Sequence, residues 1–260
     1  MIAVIGAGAM GEALMAGWIA TGTSPDEIVA VDQDTDRLAK LRERRGVRSV
    51  EVSGVSVAEV VVVAVKPHHV AIALTDVAPH LGPNAVIVSV AAGVTLARLA
   101  EVLPEGQPVI RVMPNTPALV GKGVAGLATG PTVTPEQTAR VAGMMEAVGT
   151  CVELSESQFD ALTAISGSGP AYLFLIAEAM IEAGVHQGLG RDVATKLVNG
   201  TFAGAAAMLE GVDASATELR ERVTSPAGTT AAALRVLDER AIRAAFLAAV
   251  EACARRSSEL

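Results

Sequence analysis

Short apolar runs separated by helix-length segments organise the first half of the chain. Ile2 to Ile5, Ile28 to Asp32, Val60 to Val65, Ala85 to Val90 and Val109 to Met113 read as strands, with helix-like segments at Met10 to Ala20, Thr35 to Arg45 and Leu96 to Val102. This alternation specifies a parallel sheet covered by helices. The unalternated Val60-Val61-Val62-Val63 fits a strand buried on both faces. After one more strand-like run, Cys151 to Leu154, the pattern changes. Helical segments follow at Ser157 to Ile165, Ala171 to Ala183, Arg191 to Leu209, Ala216 to Val223, Thr230 to Leu237 and Glu239 to Ser257. The expectation is an α/β chain in two domains: a mostly parallel sheet with helices on both faces over residues 1–155, and an all-α domain over 156–260.

Composition sharpens this picture. Hydrophobic residues make up 51% of the 260 residues and aromatics only 2%, so the core must be built from Ala, Val, Leu and Ile. Such a chain folds, since its apolar content can offset the entropy of ordering. Alanine-rich faces such as Ala203-Gly204-Ala205-Ala206-Ala207 permit close helix packing, either against a second copy of the chain or within one chain. The charge-free runs Val77 to Ala97 and Ala161 to Ala177 are broken by Pro79, Gly82 and Pro83 and by Gly167, Gly169 and Pro170, and so do not read as membrane spans. No basic leader precedes Ile2, which suggests a cytoplasmic protein. The net charge of -8 divides evenly, -4 on each side of residue 155, and this argues against nucleic acid as a partner. Cys151 and Cys253 alone cannot make a disulfide framework or a metal site.

The first strand-to-helix turn carries Gly6-Ala7-Gly8-Ala9-Met10-Gly11, and Asp32 ends the next strand. A G-x-G-x-x-G turn between strand and helix, with a carboxylate about 20 residues on, is the fingerprint of dinucleotide binding. Gly6 would allow the tight turn, Gly8 the approach of a pyrophosphate and Gly11 the packing of helix on strand. Asp32 can accept ribose hydroxyls and would repel a 2'-phosphate by about 4 kcal/mol per charge pair at ~4 Å and a dielectric of ~20, before screening. That favours NADH; Arg37, near in sequence, could instead meet the phosphate of NADPH. Other strand ends converge on the same crevice: Ala64-Val65-Lys66-Pro67, Ala91-Ala92-Gly93, and Met113-Pro114-Asn115-Thr116-Pro117. His68 and His69 follow closely but have no recognisable acid or base partner.

In the second half, Thr224-Ser225-Pro226-Ala227-Gly228-Thr229-Thr230 leads into a helix. Hydroxyls and free N–H groups at a helix start can cradle a carboxylate. On spacing alone, ordinary Ser/Thr capping is the favoured reading.

Taken together, Val223 to Leu237, Ala64 to Pro67, Ala91 to Thr95, Met113 to Pro117 and Ser166-Gly167-Ser168-Gly169-Pro170-Ala171-Tyr172 make the whole chain resemble the pyrroline-5-carboxylate reductase family. The resemblance implies a Rossmann-like N-terminal domain and a C-terminal helical dimerisation domain, with the active site between domains and, in some members, a decamer of five dimers. It implies reduction of L-1-pyrroline-5-carboxylate to L-proline by hydride transfer from NADPH or NADH, without a metal. The cofactor would be held by Gly6, Ala7, Gly8, Ala9, Met10, Gly11, Asp32, Ala64, Val65, Lys66, Pro67, Ala92, Gly93 and Asn115. Ser225, Gly228, Thr229 and Thr230 would hold the substrate carboxylate, with Thr230 hydrogen-bonded to the imine nitrogen. Two positions depart from the family pattern: Asp32, where small or basic residues are frequent, and Ala227, where glycine is. Rival readings are a β-hydroxy acid dehydrogenase, whose Lys-x-x-Asn spacing is met by Lys196 and Asn199, and a dinucleotide sensor without turnover.

Overall fold

The computed structural model describes residues 1–259. The chain divides into two compact units: Met1–Ser168 joined by the last turns from Cys253, and Gly169–Ala252.

The first unit is built on an eight-stranded sheet. Its strands are β1 (Ile2–Ile5), β2 (Ile28–Val31), β3 (Arg48–Ser49), β4 (Val60–Val63), β5 (Val86–Ser89), β6 (Val109–Met113), β7 (Gly123–Thr129) and β8 (Gly149–Glu153). They lie in the order β3-β2-β1-β4-β5-β6-β7-β8. Every neighbouring pair is parallel except β6 with β7, where Ile110 faces Thr129 and Met113 faces Gly126. The order reverses beside β1, which places a crevice beyond the carboxyl ends of β1, β2 and β4.

Both faces of the sheet are covered from within the unit. Val60 and Val62 pack with Leu14, Met15 and Trp18 of α1 (Ala9–Ala20), Leu41 of α2 (Thr35–Arg45), and Val141 and Met145 of the helix Pro135–Glu146. Val61 and Val63 face the other way, onto Val70, Leu74 and Val77 of α3 (Val70–Val77) and Leu99 of α4 (Leu96–Ala100). Pro135–Glu146 is α5. A four-valine run with no polar position is what such a doubly covered strand requires. Trp18 is fully buried, and its indole N–H donates to the Met144 carbonyl at 2.8 Å, tying α1 to α5.

The segment after β8 is irregular. A 3-10 turn (Glu156–Gln158), a short helix α6 (Phe159–Leu162) and a π turn (Thr163–Gly167) replace the single helix expected over Ser157 to Ile165. Buried Arg111 of β6 holds this segment, pairing with Glu156 at 2.9 Å and lying 4.4 Å from the Phe159 ring. Glu156 also accepts from the Leu96 N–H at 2.7 Å.

The second unit consists of α7 (Gly169–His186), α8 (Arg191–Gly211), α9 (Ala216–Arg222), α10 (Thr229–Glu239) and α11 (Ile242–Ser258), the last turns of α11 belonging to the first unit. α7 and α8 form a hairpin through Gly188, at φ +95°. A Cβ at Gly184 would stand 3.2 Å from that of Ala194, a spacing that only small residues allow. α10 and α11 are separate helices, broken where Ala241 takes φ 54°. Few large side chains are buried in this unit, and Leu173, Phe174, Leu175, Leu197 and Leu247 are all more than half exposed. Among the described residues, the stretch Glu156–His186 is long and apolar enough to cross a membrane by length and composition, although the π turn and Pro170 interrupt it.

Candidate functional site

The crevice at the carboxyl ends of the strands has a volume of about 1490 Å³. Its floor is the glycine turn. Gly6 takes φ +98°, and a Cβ there would meet the Ala64 carbonyl oxygen and Val65 at 2.9 Å. A side chain at Gly11 would collide with the Gly6 carbonyl, so the helix can approach the strand only as glycine. Above Gly8, by contrast, nothing lies within 4 Å of where a Cβ would stand. Gly8 is the N-cap of α1 and supplies no side-chain cap. The helix therefore presents unpaired N–H groups and the positive end of its dipole to open space, which suits a pyrophosphate.

Of the residues expected to bind the cofactor, Gly6, Gly8, Ala9, Met10, Asp32, Ala64, Val65, Lys66, Pro67 and Ala92 line this one crevice. Ala7, Gly11, Gly93 and Asn115 are not in its lining, and two of these act from behind it. The Ala7 N–H donates to Asp32 Oδ2 at 2.7 Å. The Asn115 amide donates to the Ser166 carbonyl at 3.1 Å and hydroxyl at 3.2 Å and accepts from the Val124 N–H at 2.8 Å, so its side chain fastens the loop after β6 to β7 and the π turn. His69 lines the crevice, and His68 stacks edge-on against it with ring centres 4.2 Å apart.

Asp32 is the most constrained group in the site. Its side chain is only 9% exposed. Oδ2 accepts from Ala7 N and, at 3.0 Å, from Arg37 Nη1; Oδ1 accepts from Asp34 N at 2.9 Å and from the same Nη1 at 3.2 Å. Burial pushes its pKa up, but the backbone bonds from Asp34 and Ala7 and the Arg37 guanidinium outweigh that and hold it below the usual carboxylate range. Asp32 thus joins the end of β2 to the glycine turn.

Sequence patterning did not find the rest of the lining. Gln33, Asp34, Thr35, Ser49 to Val52, Ile72, Ala73 and Asp76 surround the same space. Most lie just after the two-residue strand β3 or on α3, elements too short or too plain in pattern to be seen in advance.

In the second unit the loop from Thr224 leads directly into α10. Gly228 is the N-cap of α10, extended at φ -82° and ψ 175°, and no side chain caps the helix. The hydroxyls of Ser225, Thr229 and Thr230 are thus not used as caps there, in contrast to α9, where Ser215 and Glu218 form a full capping box. Gly228 N–H closes the turn onto the Ser225 carbonyl at 3.0 Å. Ala227 occupies the left-handed region at φ 56°. Lys196 and Asn199 stand on the exposed side of α8.

The model of the family described as "Pyrroline-5-carboxylate reductase dimerisation" matches residues 156–260, and that described as "NADP oxidoreductase coenzyme F420-dependent" matches residues 1–93. Pyrroline-5-carboxylate reductase of Corynebacterium melassecola is 46% identical, over 100% of this chain and 98% of its own. The chain belongs to the pyrroline-5-carboxylate reductase family. Among solved structures, the reductase of Coxiella burnetii superposes with a TM-score of 0.96 at 36% identity, covering 99% of this chain and 97% of that one. The Plasmodium falciparum pyrroline carboxylate reductase, solved with NADP bound, gives a TM-score of 0.85 at 27% identity over 99% and 97% of the two chains. The exposed apolar helices thus lie within the stretch that the family's dimerisation model covers.

Proposed function

We propose that this chain is a pyrroline-5-carboxylate reductase, reducing L-1-pyrroline-5-carboxylate to L-proline at the expense of NADH or NADPH in the last step of proline biosynthesis. The observation that carries the reading is the pairing, in a chain related to reductases along its whole length, of an open glycine turn with an uncapped hydroxyl loop. A bound reduced nicotinamide supplies the hydride, from its C4 to the C5 carbon of the cyclic imine.

Residues 1–155 bind the dinucleotide through Gly6 to Gly11 and the strand ends, and 156–260 bind the substrate. Ser225, Gly228, Thr229 and Thr230 receive the substrate carboxylate, where free N–H groups and the helix dipole favour a negative charge. Thr230, in the first turn of α10, would hydrogen-bond the ring nitrogen, whose protonation makes the C5 carbon more electrophilic. The chain's remaining work is to position the reactants. The helices of 156–260 pair two copies into a homodimer, five of which can form a decamer. Two free cysteines suit a reducing, cytoplasmic setting.

The test is loss of reduced-nicotinamide absorbance with pyrroline-5-carboxylate, run with each coenzyme. Turnover is expected; its absence in folded protein that binds coenzyme would leave a β-hydroxy acid dehydrogenase or a dinucleotide sensor. Thr230→Ala should lower kcat by about 10- to 100-fold, the worth of a hydrogen bond to a charged group. Coenzyme affinity, measured separately by calorimetry, should move by less than about twofold, within the scatter of uncoupled sites. Wild-type kinetics in that variant would remove Thr230 from the mechanism.

A further inference from the structure

We propose that Asp34, rather than Asp32, sets the choice between NADH and NADPH, by holding the Arg37 guanidinium away from a 2'-phosphate. The inference rests on the dinucleotide reading of the crevice and goes beyond it in naming the residue that discriminates.

Asp32 has no free capacity to read the coenzyme. Its two oxygens already take four hydrogen bonds, from Ala7 N, Asp34 N and, at both oxygens, Arg37 Nη1. A carboxylate offers about four acceptor positions, so a ribose hydroxyl could enter only by displacing one of these donors. Two of them are backbone groups, and one is the glycine turn itself. Asp32 is therefore part of the floor of the site.

Arg37 and Asp34 are placed differently. Arg37 is 43% exposed and Asp34 46%, and both line the crevice. Arg37 Nη2 lies 3.1 Å from Asp34 Oδ2, while Asp34 Oδ1 accepts the Arg37 N–H at 2.9 Å as the N-cap of α2. One guanidinium is thus shared by two carboxylates, leaving the group with a net charge of about -1 where a phosphate would add more negative charge. The wider lining agrees, with four carboxylates (Asp32, Asp34, Glu51 and Asp76) against two lysine or arginine cations, Arg37 and Lys66. Of the two carboxylates on Arg37, only the one from Asp34 can be removed without loosening the glycine turn.

Asp34→Asn is the decisive variant. Asparagine caps helices as well as aspartate does, so α2 keeps its N-cap bond. The side-chain amide would then face Arg37 Nη2 as a donor facing a donor, freeing that nitrogen for a 2'-phosphate while Nη1 stays on Asp32. Dissociation constants for NADH and NADPH would be measured by calorimetry on the full-length wild type, Asp34→Asn, Asp34→Ser, and Asp34→Asn combined with Arg37→Gln. The preference for NADPH over NADH should rise about tenfold in both single variants, as expected when a guanidinium nitrogen released by Asp34 meets a phosphate in a partly screened site. It should fall back when Arg37 is also replaced. An unchanged ratio in both single variants overturns the proposal. So does a gain that survives loss of Arg37, since that would be simple charge removal. Failure of the wild type to bind either coenzyme would instead defeat the dinucleotide reading on which the proposal stands, a result distinct from an unchanged ratio.

Discussion

β4 and α7 draw on similar apolar residues and use them in opposite ways. All four valines of β4 are fully buried, sealed on both faces by helices of the same unit. Leu173, Phe174 and Leu175 of α7 are 53%, 68% and 66% exposed. The difference is one of geometry. A sheet has two faces, and the chain's own crossover helices reach both, whereas the helices of the second unit present more apolar surface than they can cover among themselves. One region is finished by the chain, and the other leaves large apolar side chains open.

The largest effects should follow from opening what is closed. Trp18→Ala removes the largest fully buried side chain and leaves the Met144 carbonyl without its indole donor. A loss of about 3–5 kcal/mol is expected from the lost apolar burial and the cavity together. Urea denaturation would show it as a lower midpoint with an unchanged slope. Leu175→Ala, measured at a dilution low enough to keep the chain monomeric, should cost less than about 0.5 kcal/mol, as surface substitutions do. Equal losses at the two positions would end the contrast.

The next experiment reverses the conditions. Phe174→Glu places a charge in the middle of the exposed apolar face of α7. If a second copy covers that face, burying an unpaired carboxylate there should cost at least about 3 kcal/mol and weaken the dimer by a hundredfold or more. Sedimentation equilibrium would then show monomer where the wild type shows dimer. An unchanged mass would mean that some other face makes the contact.

How far these regions could be read from sequence follows the same division. β1, β2, β4, β5 and β6 were legible because doubly buried strands are continuous apolar runs. β7 was not, since Gly123-Val-Ala-Gly-Leu-Ala-Thr129 carries two glycines and little β-branched character and is held by pairing to β6 and β8. Gly6 to Gly11 announced themselves through spacing. The bonds from Asp32 to Ala7 and from Asn115 to Ser166 span 25 and 51 residues and leave no local trace. The spacing of Ser225 to Thr230 favoured ordinary capping over an anion cradle, and it could not show that Gly228, which has no side chain, would be the N-cap of α10.

A smaller effect concerns Asp32. Its pKa is lowered in the folded chain, so folding favours the charged form. The stability this confers is present above the ordinary value of 3.8 and is lost as pH falls through the lower folded value. Melting temperature should therefore drop through that range in the wild type, and the drop should be shallower in Asp32→Asn. Parallel curves would show that Asp32 is not coupled to folding of the sheet unit.

The smallest effect should come from Ala227→Gly. At φ 56° an alanine Cβ crowds the backbone, at a cost of about 1–2 kcal/mol that glycine does not bear. Against this, glycine gives the unfolded chain more freedom, worth about 0.4–1 kcal/mol in the opposite direction. The two partly offset, so stability should rise by no more than about 1.6 kcal/mol. The informative readout is kinetic. Because Ala227 sits between Ser225 and Gly228, relief of its strain loosens the loop proposed to grip the substrate carboxylate, and KM for pyrroline-5-carboxylate should rise while kcat holds. A fall in KM would show instead that the alanine strains the loop away from its binding shape, so that the position resists substrate rather than preparing for it.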